Sequence, residues 1–483
     1  MLLIRGGTVI DGTGAPGRIT DVLIQGDRIA SLGDLGDVAA DRVIDASGRC
    51  VTPGFIDTHS HGSPLETPGF ENFLAMGATT ICLGQDGESP GLRDLTAWMA
   101  SVDAAEPGPN VALFVGHATV REASGAGLAP DATPDQLARM GELVAEAMEV
   151  GCFGLTTGLE YNGGRPASME ELVTVARPVG ERGGVVMSHM RTEDDDTIEA
   201  SIRELLDQCR GGGAAAHVSH IKVVYGHGAA RAEEILALLD EARESGMQVT
   251  ADIYPYLASH TGIGIVFPDW ALPPNDFDEA VATRREDLEA HLRERVTLRN
   301  GPEATLFTSG QWTGRTLAEV AEELGKPFED VLIDDIRPGR ASGAYFVMDQ
   351  ELQDRLLVDP HVMICSDGSP GMRHPRGYGT FARIIRDHVR ERGLLSLEEA
   401  IRKMTSLPAE TIDLAGRGRI APGMAADVLV FDPAAVRDLA TFEEPHLLAE
   451  GFDLVIVNGR IVRENGQFTG VRAGRMLRRV AGD

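Results

Sequence analysis

Cationic residues are scarce. Lys and Arg number 44 against 74 Asp and Glu in 483 residues, a formal net charge of −30. That balance excludes a general nucleic-acid or anionic-membrane binder, because both need a cationic field. A small anionic substrate is still allowed where a few local Arg or Lys side chains override the field. Cysteine is sparse too. The five residues, Cys50, Cys82, Cys152, Cys209 and Cys365, are odd in number, scattered and without CxxC spacing. Such a pattern suits reduced thiols in a cytoplasm and argues against a disulfide framework. No uncharged apolar run of about 18 residues occurs, so no membrane span is expected. The apolar opening is too short for a signal peptide. The Gly-rich start has no GxGxxG or GxxxxGK[ST] following a strand, which argues against a phosphate loop.

What is present is a composition for a large packed core, with 43% apolar and 24% charged residues. A closed α/β barrel can use roughly 200 to 400 residues as one unit. Residues 1–50 read as short strands separated by turns such as Asp11-Gly12 and Gly26-Asp27. Residues 413–483 have the same style, with a strand at 427–431 and a hairpin signal at Asn458-Gly459. Between them the pattern alternates. Helical runs at 134–150, 169–181, 197–209 and 230–245 each precede an apolar strand, at 152–156, 184–189, 214–223 and 248–252. Polar residues at the predicted strand ends, His189, His220 and Asp252, lie 31 and 32 residues apart, the length of one βα unit. The expected fold is therefore α/β, a (β/α)8 TIM-like barrel over 51–412, with its site at the C-terminal strand ends. Residues 260–345 break the rhythm and read as later barrel units carrying an insertion that covers the site.

The chemistry starts at residues 55–61, FIDTHSH, where an apolar run ends in His-x-His. Alternate residues of a strand share a face, so His59 and His61 can ligate one metal ion. His189 and His220 end two further predicted strands. Any one of these could be a core histidine; four at the ends of three strands point to a metal. Residues 362–368, VMICSDG, read as a buried strand ending in Asp367. An Asp beside metal-activated water can take its proton and deliver it to a leaving amine; the structural alternative is a turn Asp before Gly368.

The chain resembles the amidohydrolase superfamily and, within it, the N-acyl-D-amino-acid deacylases (D-aminoacylases). The resemblance covers almost the whole length. It is carried by residues 9–14 (VIDGTG), 53–61 (PGFIDTHSH), 154–161 (GLTTGLEY), 188–191 (SHMR), 219–222 (SHIK), 252–256 (DIYPY), 366–368 (SDG), 374–381 (HPRGYGTF) and 418–427 (GRIAPGMAAD). It implies a metallo-barrel flanked by a small β-sandwich built from both chain ends, 1–50 and 413–483. It implies metal ligation by His59, His61, His189 and His220, with Asp367 as catalytic acid/base. One position departs from the family. Its usual Gly-Asn-Cys-Gly turn, whose Cys ligates zinc, reads Gly84-Gln85-Asp86-Gly87 here. Asp86 then stands as the substitute ligand, with Glu160 as the second candidate and Cys82 in the core. A carboxylate is a harder ligand than a thiolate, so one or two divalent ions are expected, zinc first, with manganese, iron or cobalt alternatives. Lys222, placed on the same strand face as His220, Arg376 and Tyr161 are implied to grip the substrate carboxylate or polarise the scissile carbonyl. Arg191 is a weaker candidate, His374 orients neighbours, and the remaining histidines, His260 among them, are taken as structural or solvent-exposed.

The expected function is metal-dependent hydrolysis of an N-acyl-D-amino acid by a cytoplasmic enzyme. The partner is the small-molecule substrate, without nucleic acid or membrane, and a homo-oligomer is left open. Two other readings stand beside it. One is a hydrolase of cyclic amides (hydantoinase-like) or dipeptides on the same barrel; the other, of a different class, is a non-catalytic barrel scaffold.

Overall fold

A computed structural model describes residues 1–36, 38–90 and 92–480. Its architecture is α/β. Three strands, Phe55–Asp57, Ala78–Leu83 and Asn110–Leu113, form one parallel sheet. A six-stranded parallel sheet runs Val115–Gly116, Gly154–Gly158, Val185–His189, Ala215–Val218, Val249–Ile253 and Val362–Ile364. Only Phe114 separates the two sheets in the chain, and its backbone N–H bonds to Leu83 at 2.9 Å. At their other edges a parallel bridge joins Ser60 to Gly368, with Asp367 N–H donating to the His59 carbonyl at 2.8 Å.

Local sequence sets the helices between these strands. Pro134–Val150 starts at a capping box between Thr133 and Gln136, has Pro134 in its first turn, and stops at Gly151 with φ of 111°. Met169–Gly180 is capped by the Ser168 hydroxyl, and Ile198–Gly212 ends at left-handed Gly213. Their apolar faces bury Leu143, Val144, Val175, Val179, Ile202 and Leu205 in one large core shared with the strands.

Both chain ends hydrogen-bond into one nine-stranded mixed sheet, in which Cys50–Pro53 pairs with Leu2–Val9 on one side and Val428–Phe431 on the other. Ile4, Val22, Val428 and Ile456 meet in its own core.

Three expectations are corrected here. The segment 260–345 is not later barrel units. It folds as an antiparallel sheet of Ser259–Gly262, Ser342–Tyr345 and Thr305–Phe307 with the long helix Phe277–Leu298, around a separate core that includes Leu288, Val320 and Val331. The strand expected at 214–223 stops at Val218, and that expected up to Asp367 stops at Ile364. In both cases a side-chain carboxylate replaces the ladder: Asp252 Oδ1 accepts His220 N–H at 2.5 Å, and Asp57 Oδ1 accepts Ser366 N–H at 2.9 Å. The third is Lys222. Strand alternation does not place it, because the chain turns at His220, where φ is 35°.

Candidate metal centre

The strand ends converge on a cavity of about 270 Å³. His59 and His61 follow Phe55–Asp57, with ring centroids 5.2 Å apart. His189 closes its own strand, and its Nδ1 lies 3.0 Å from His220 Nε2. Asp86 sits between these pairs on a turn, with φ of 55°. Its Oδ1 is 3.3 Å from His59 Nε2, 3.3 Å from His220 Nε2 and 3.8 Å from His189 Nδ1, while Oδ2 is 3.5 Å from His61 Nε2. Asp367 Oδ1 is 3.2 Å from His61 Nε2 and 3.8 Å from His59 Nε2. Every one of the sequence-predicted ligands is thus brought together. Glu160, the second candidate, is there too, but its Oε2 faces the far side of His189, 3.0 Å from Nε2.

The donor chemistry fits a divalent ion. Neither ring nitrogen of His59 makes a hydrogen bond although both are buried. Ligand atoms of His59, His61, Asp86 and Asp367 fall within 4.8 Å of one another, as do those of Asp86, His189 and His220, so Asp86 belongs to both groups. Imidazole nitrogen with carboxylate oxygen is the donor set of zinc and its first-row neighbours. Burial raises both carboxyls, but charge outweighs it. His59 and His220 hold Asp86 well below the usual carboxylate range, and Arg376 with His61 does the same for Asp367. Both are anionic, as ligation and proton uptake require.

The predicted substrate-side residues line the same cavity, each with a protein partner. Lys222 Nζ donates to Glu193 Oε1 at 2.5 Å and lies 2.8 Å from His220 Nδ1. Arg376 Nη1 is 2.8 Å from Asp367 Oδ2. The Tyr161 ring centroid is 4.4 Å from that of His189. His374 Nδ1 accepts the Arg376 backbone N–H at 3.1 Å, an orienting contact. Arg191 is spent elsewhere, on Glu204 at 2.9 Å and on the Arg165 carbonyl at 2.7 Å.

Among the cavity residues that sequence reading missed are Glu193, Asp194, His260 and Arg299. His260 was set aside as structural, yet burial in this wall lowers its pKa to about 3 and keeps the ring neutral. Glu193 and Asp194 follow His189 closely in the loop at the strand end, a placement that could have flagged them. Arg299 and His260 come from the inserted unit and had no such signal.

The amidohydrolase family profile matches residues 286–463. N-acyl-D-glutamate deacylase of Alcaligenes xylosoxydans xylosoxydans is 37% identical over 99% of this chain and 97% of its own length. The chain belongs to the amidohydrolase family, among the N-acyl-D-amino-acid deacylases. As a member of that group it superposes on a crystal structure of D-aminoacylase with a TM-score of 0.85, 37% identity and 99% of each chain covered. A second deacylase structure, N-acyl-D-glutamate deacylase of Bordetella bronchiseptica with zinc and a phosphonate mimic of the tetrahedral intermediate, gives 0.85 at 35% identity, with 99% of each chain covered.

Proposed function

We propose that this chain hydrolyses the amide bond of N-acyl-D-amino acids to a carboxylate and a free D-amino acid. His59, His61, Asp86, His189 and His220 would hold the divalent metal. The observation that carries this reading is the position of Asp86, whose carboxylate reaches both imidazole pairs at 3.3 to 3.8 Å. Zinc is favoured by the zinc-bound deacylase relative, and a carboxylate at this position also suits manganese, iron or cobalt. A bound divalent ion supplies Lewis acidity, lowering the pKa of water and polarising an acyl carbonyl. Asp367 Oδ1, facing the His59–His61 pair, takes the proton of the attacking water and returns it to the amine nitrogen as the C–N bond breaks. Arg376 keeps Asp367 ionised for the first of these transfers. Lys222, Arg376 and Tyr161 hold the substrate carboxylate or the developing oxyanion. The preference for the D-series follows from family membership.

The scaffold for this chemistry is read as one (β/α)8 barrel over 51–412, closed by the Ser60–Gly368 bridge, beside a β-sandwich of 1–50 and 413–483. Five buried, unpaired cysteines support a cytoplasmic setting. Among the described residues no helix is long and apolar enough to cross a membrane.

The test is a hydrolysis screen of N-acetyl-D- and L-amino acids, hydantoins and dipeptides with zinc, manganese or cobalt supplied. Amine release from N-acetyl-D-amino acids is expected, abolished by a chelator. Asp367→Asn should lower kcat by about 10²- to 10⁴-fold. Turnover of hydantoins alone would move the enzyme to the cyclic-amide branch. Full kcat in Asp367→Asn would remove that residue from the chemistry, and absence of both metal and hydrolysis would leave a scaffold.

A further inference from the structure

The strand Gly154–Gly158 supplies no candidate ligand of its own, yet it is bonded to two elements that do. Gly158 pairs in register with His189, and Leu159 N–H donates to the His189 carbonyl at 3.0 Å. The same strand also meets the turn 84–87, which carries Asp86. There the buried Thr156 hydroxyl brackets the turn. Its Oγ1 donates to the Gly84 carbonyl at 2.6 Å and accepts Gly87 N–H at 3.2 Å. The approach is close. A Cβ added at Gly158 would lie 2.1 Å from the Asp86 carbonyl oxygen, so glycine is needed there for the turn to come this near.

A second tether holds the turn from the other imidazole pair. Gln85 is buried, and its Nε2 donates at 3.0 Å to the carbonyl of Thr58, the residue before His59. Asp86 is therefore suspended between two buried side-chain hydrogen bonds. One runs to the strand paired with His189, the other to the residue that leads into His59. The turn needs such support. Asp86 sits at φ of 55°, a sparsely populated region for a residue with a Cβ, and such a conformation persists where its surroundings over-determine it. The demand on its position is also strict. Its carboxylate reaches both imidazole pairs at 3.3 to 3.8 Å, and metal ligands must be held to within about 0.5 Å.

We infer that Thr156 and Gln85 are positioning residues for the metal centre: through the backbone of the turn they set where the Asp86 carboxylate stands between the two imidazole pairs. This rests on the metal-dependent reading above and goes beyond it by naming the groups on which the bridging position depends. Neither side chain carries charge. Removing either hydrogen bond alters the geometry of the centre and leaves its donor set intact.

The experiment measures the affinity of the chelator-stripped protein for zinc and cobalt, by competition with a chromogenic chelator. Thr156→Val keeps the shape of the side chain and removes the hydroxyl; it should weaken binding by about 10- to 100-fold. Gln85→Met should move affinity in the same direction. Thr156→Ser keeps the hydroxyl and should recover most of what Thr156→Val loses. Thr157→Val controls for general damage to the strand, because the buried Thr157 hydroxyl donates to Ser188 Oγ instead, at 2.7 Å. It should lower the melting temperature and leave metal affinity at the wild-type value. Circular dichroism establishes that each variant is folded. Wild-type affinity in Thr156→Val overturns the inference. So does an equal loss in Thr157→Val, which would make the effect one of strand stability, or a Thr156→Ser protein as weak as Thr156→Val, which would assign it to the methyl group. If Thr156→Val does not fold, wild-type affinity in Gln85→Met overturns the inference instead. A wild-type protein that binds neither ion fails the metal-dependent reading and takes the inference with it, whereas wild-type binding unmoved by these substitutions fails the inference alone.

Discussion

Asp86 and Glu160 are both carboxylates at strand ends, and their surroundings separate their roles. Asp86 faces four imidazole nitrogens with its two oxygens, whereas Glu160 touches only the outer nitrogen of His189. A carboxylate on the outer nitrogen fixes the tautomer of a ligating imidazole and does not replace a ligand. Asp86→Ala should therefore lower bound metal, measured by plasma mass spectrometry, together with kcat/KM, whereas Glu160→Gln should weaken metal affinity by about 10- to 100-fold and leave saturating metal able to restore occupancy. Unchanged metal content in Asp86→Ala would return the bridging position to Glu160. Residue identities at this scale were legible in the sequence: both histidines of the His-x-His, His189, His220 and the Asp of the Ser-Asp-Gly turn all arrive in the candidate ligand groups. Which of the two carboxylates bridges was not legible, because that depends on distances of a few tenths of an ångström set by turns.

Those turns belong to the elements. Asp86, His220 and Asp367 all sit at positive φ, 55°, 35° and 48°, where the chain leaves a strand. Strand periodicity runs out two to three residues before these positions, which is why alternation misplaced Lys222 while its motif did not. The opposite end of the parallel strands shows another buried cation. Lys403, at the end of helix Leu397–Met404, donates to the backbone carbonyls of Val362, at 2.7 Å, and Asp359. Burial lowers its pKa to about 7 from the ordinary 10.5. The sign follows from proton binding. Between pH 7 and 10.5 the unfolded chain holds a proton on Lys403 that the folded chain does not, so this group makes stability rise with pH there; below pH 7 its penalty is complete. Denaturant midpoints at pH 7 and 9 should show wild type gaining up to about 2 to 3 kcal/mol from this group, a gain absent from Lys403→Met. Parallel pH dependence in the two proteins would mean that Lys403 stays charged in its carbonyl cradle.

At the scale of the whole molecule, the candidate metal centre would draw its ligands from residues 59 to 220 and its acid from residue 367, at the ends of strands of both parallel sheets. A bound ion then ties those sheets together in the native state only. Chelator treatment should lower the melting temperature, and readdition of zinc or manganese should restore it in proportion to the logarithm of free metal; a melting temperature indifferent to metal would mean that the ligand cluster is held by the protein alone. The alternation of strands and helices, the β-rich ends and the identity of the candidate metal ligands were determined by the sequence itself, because periodicity, helix caps and short motifs act over a few residues. The folding of 260–345 into a separate unit, the pairing of Lys222 with Glu193, and the placement of Arg299 in the cavity wall were decided only by tertiary structure. Each depends on which distant groups share a low-dielectric space, and a buried charge acquires its meaning from partners that lie far away along the chain.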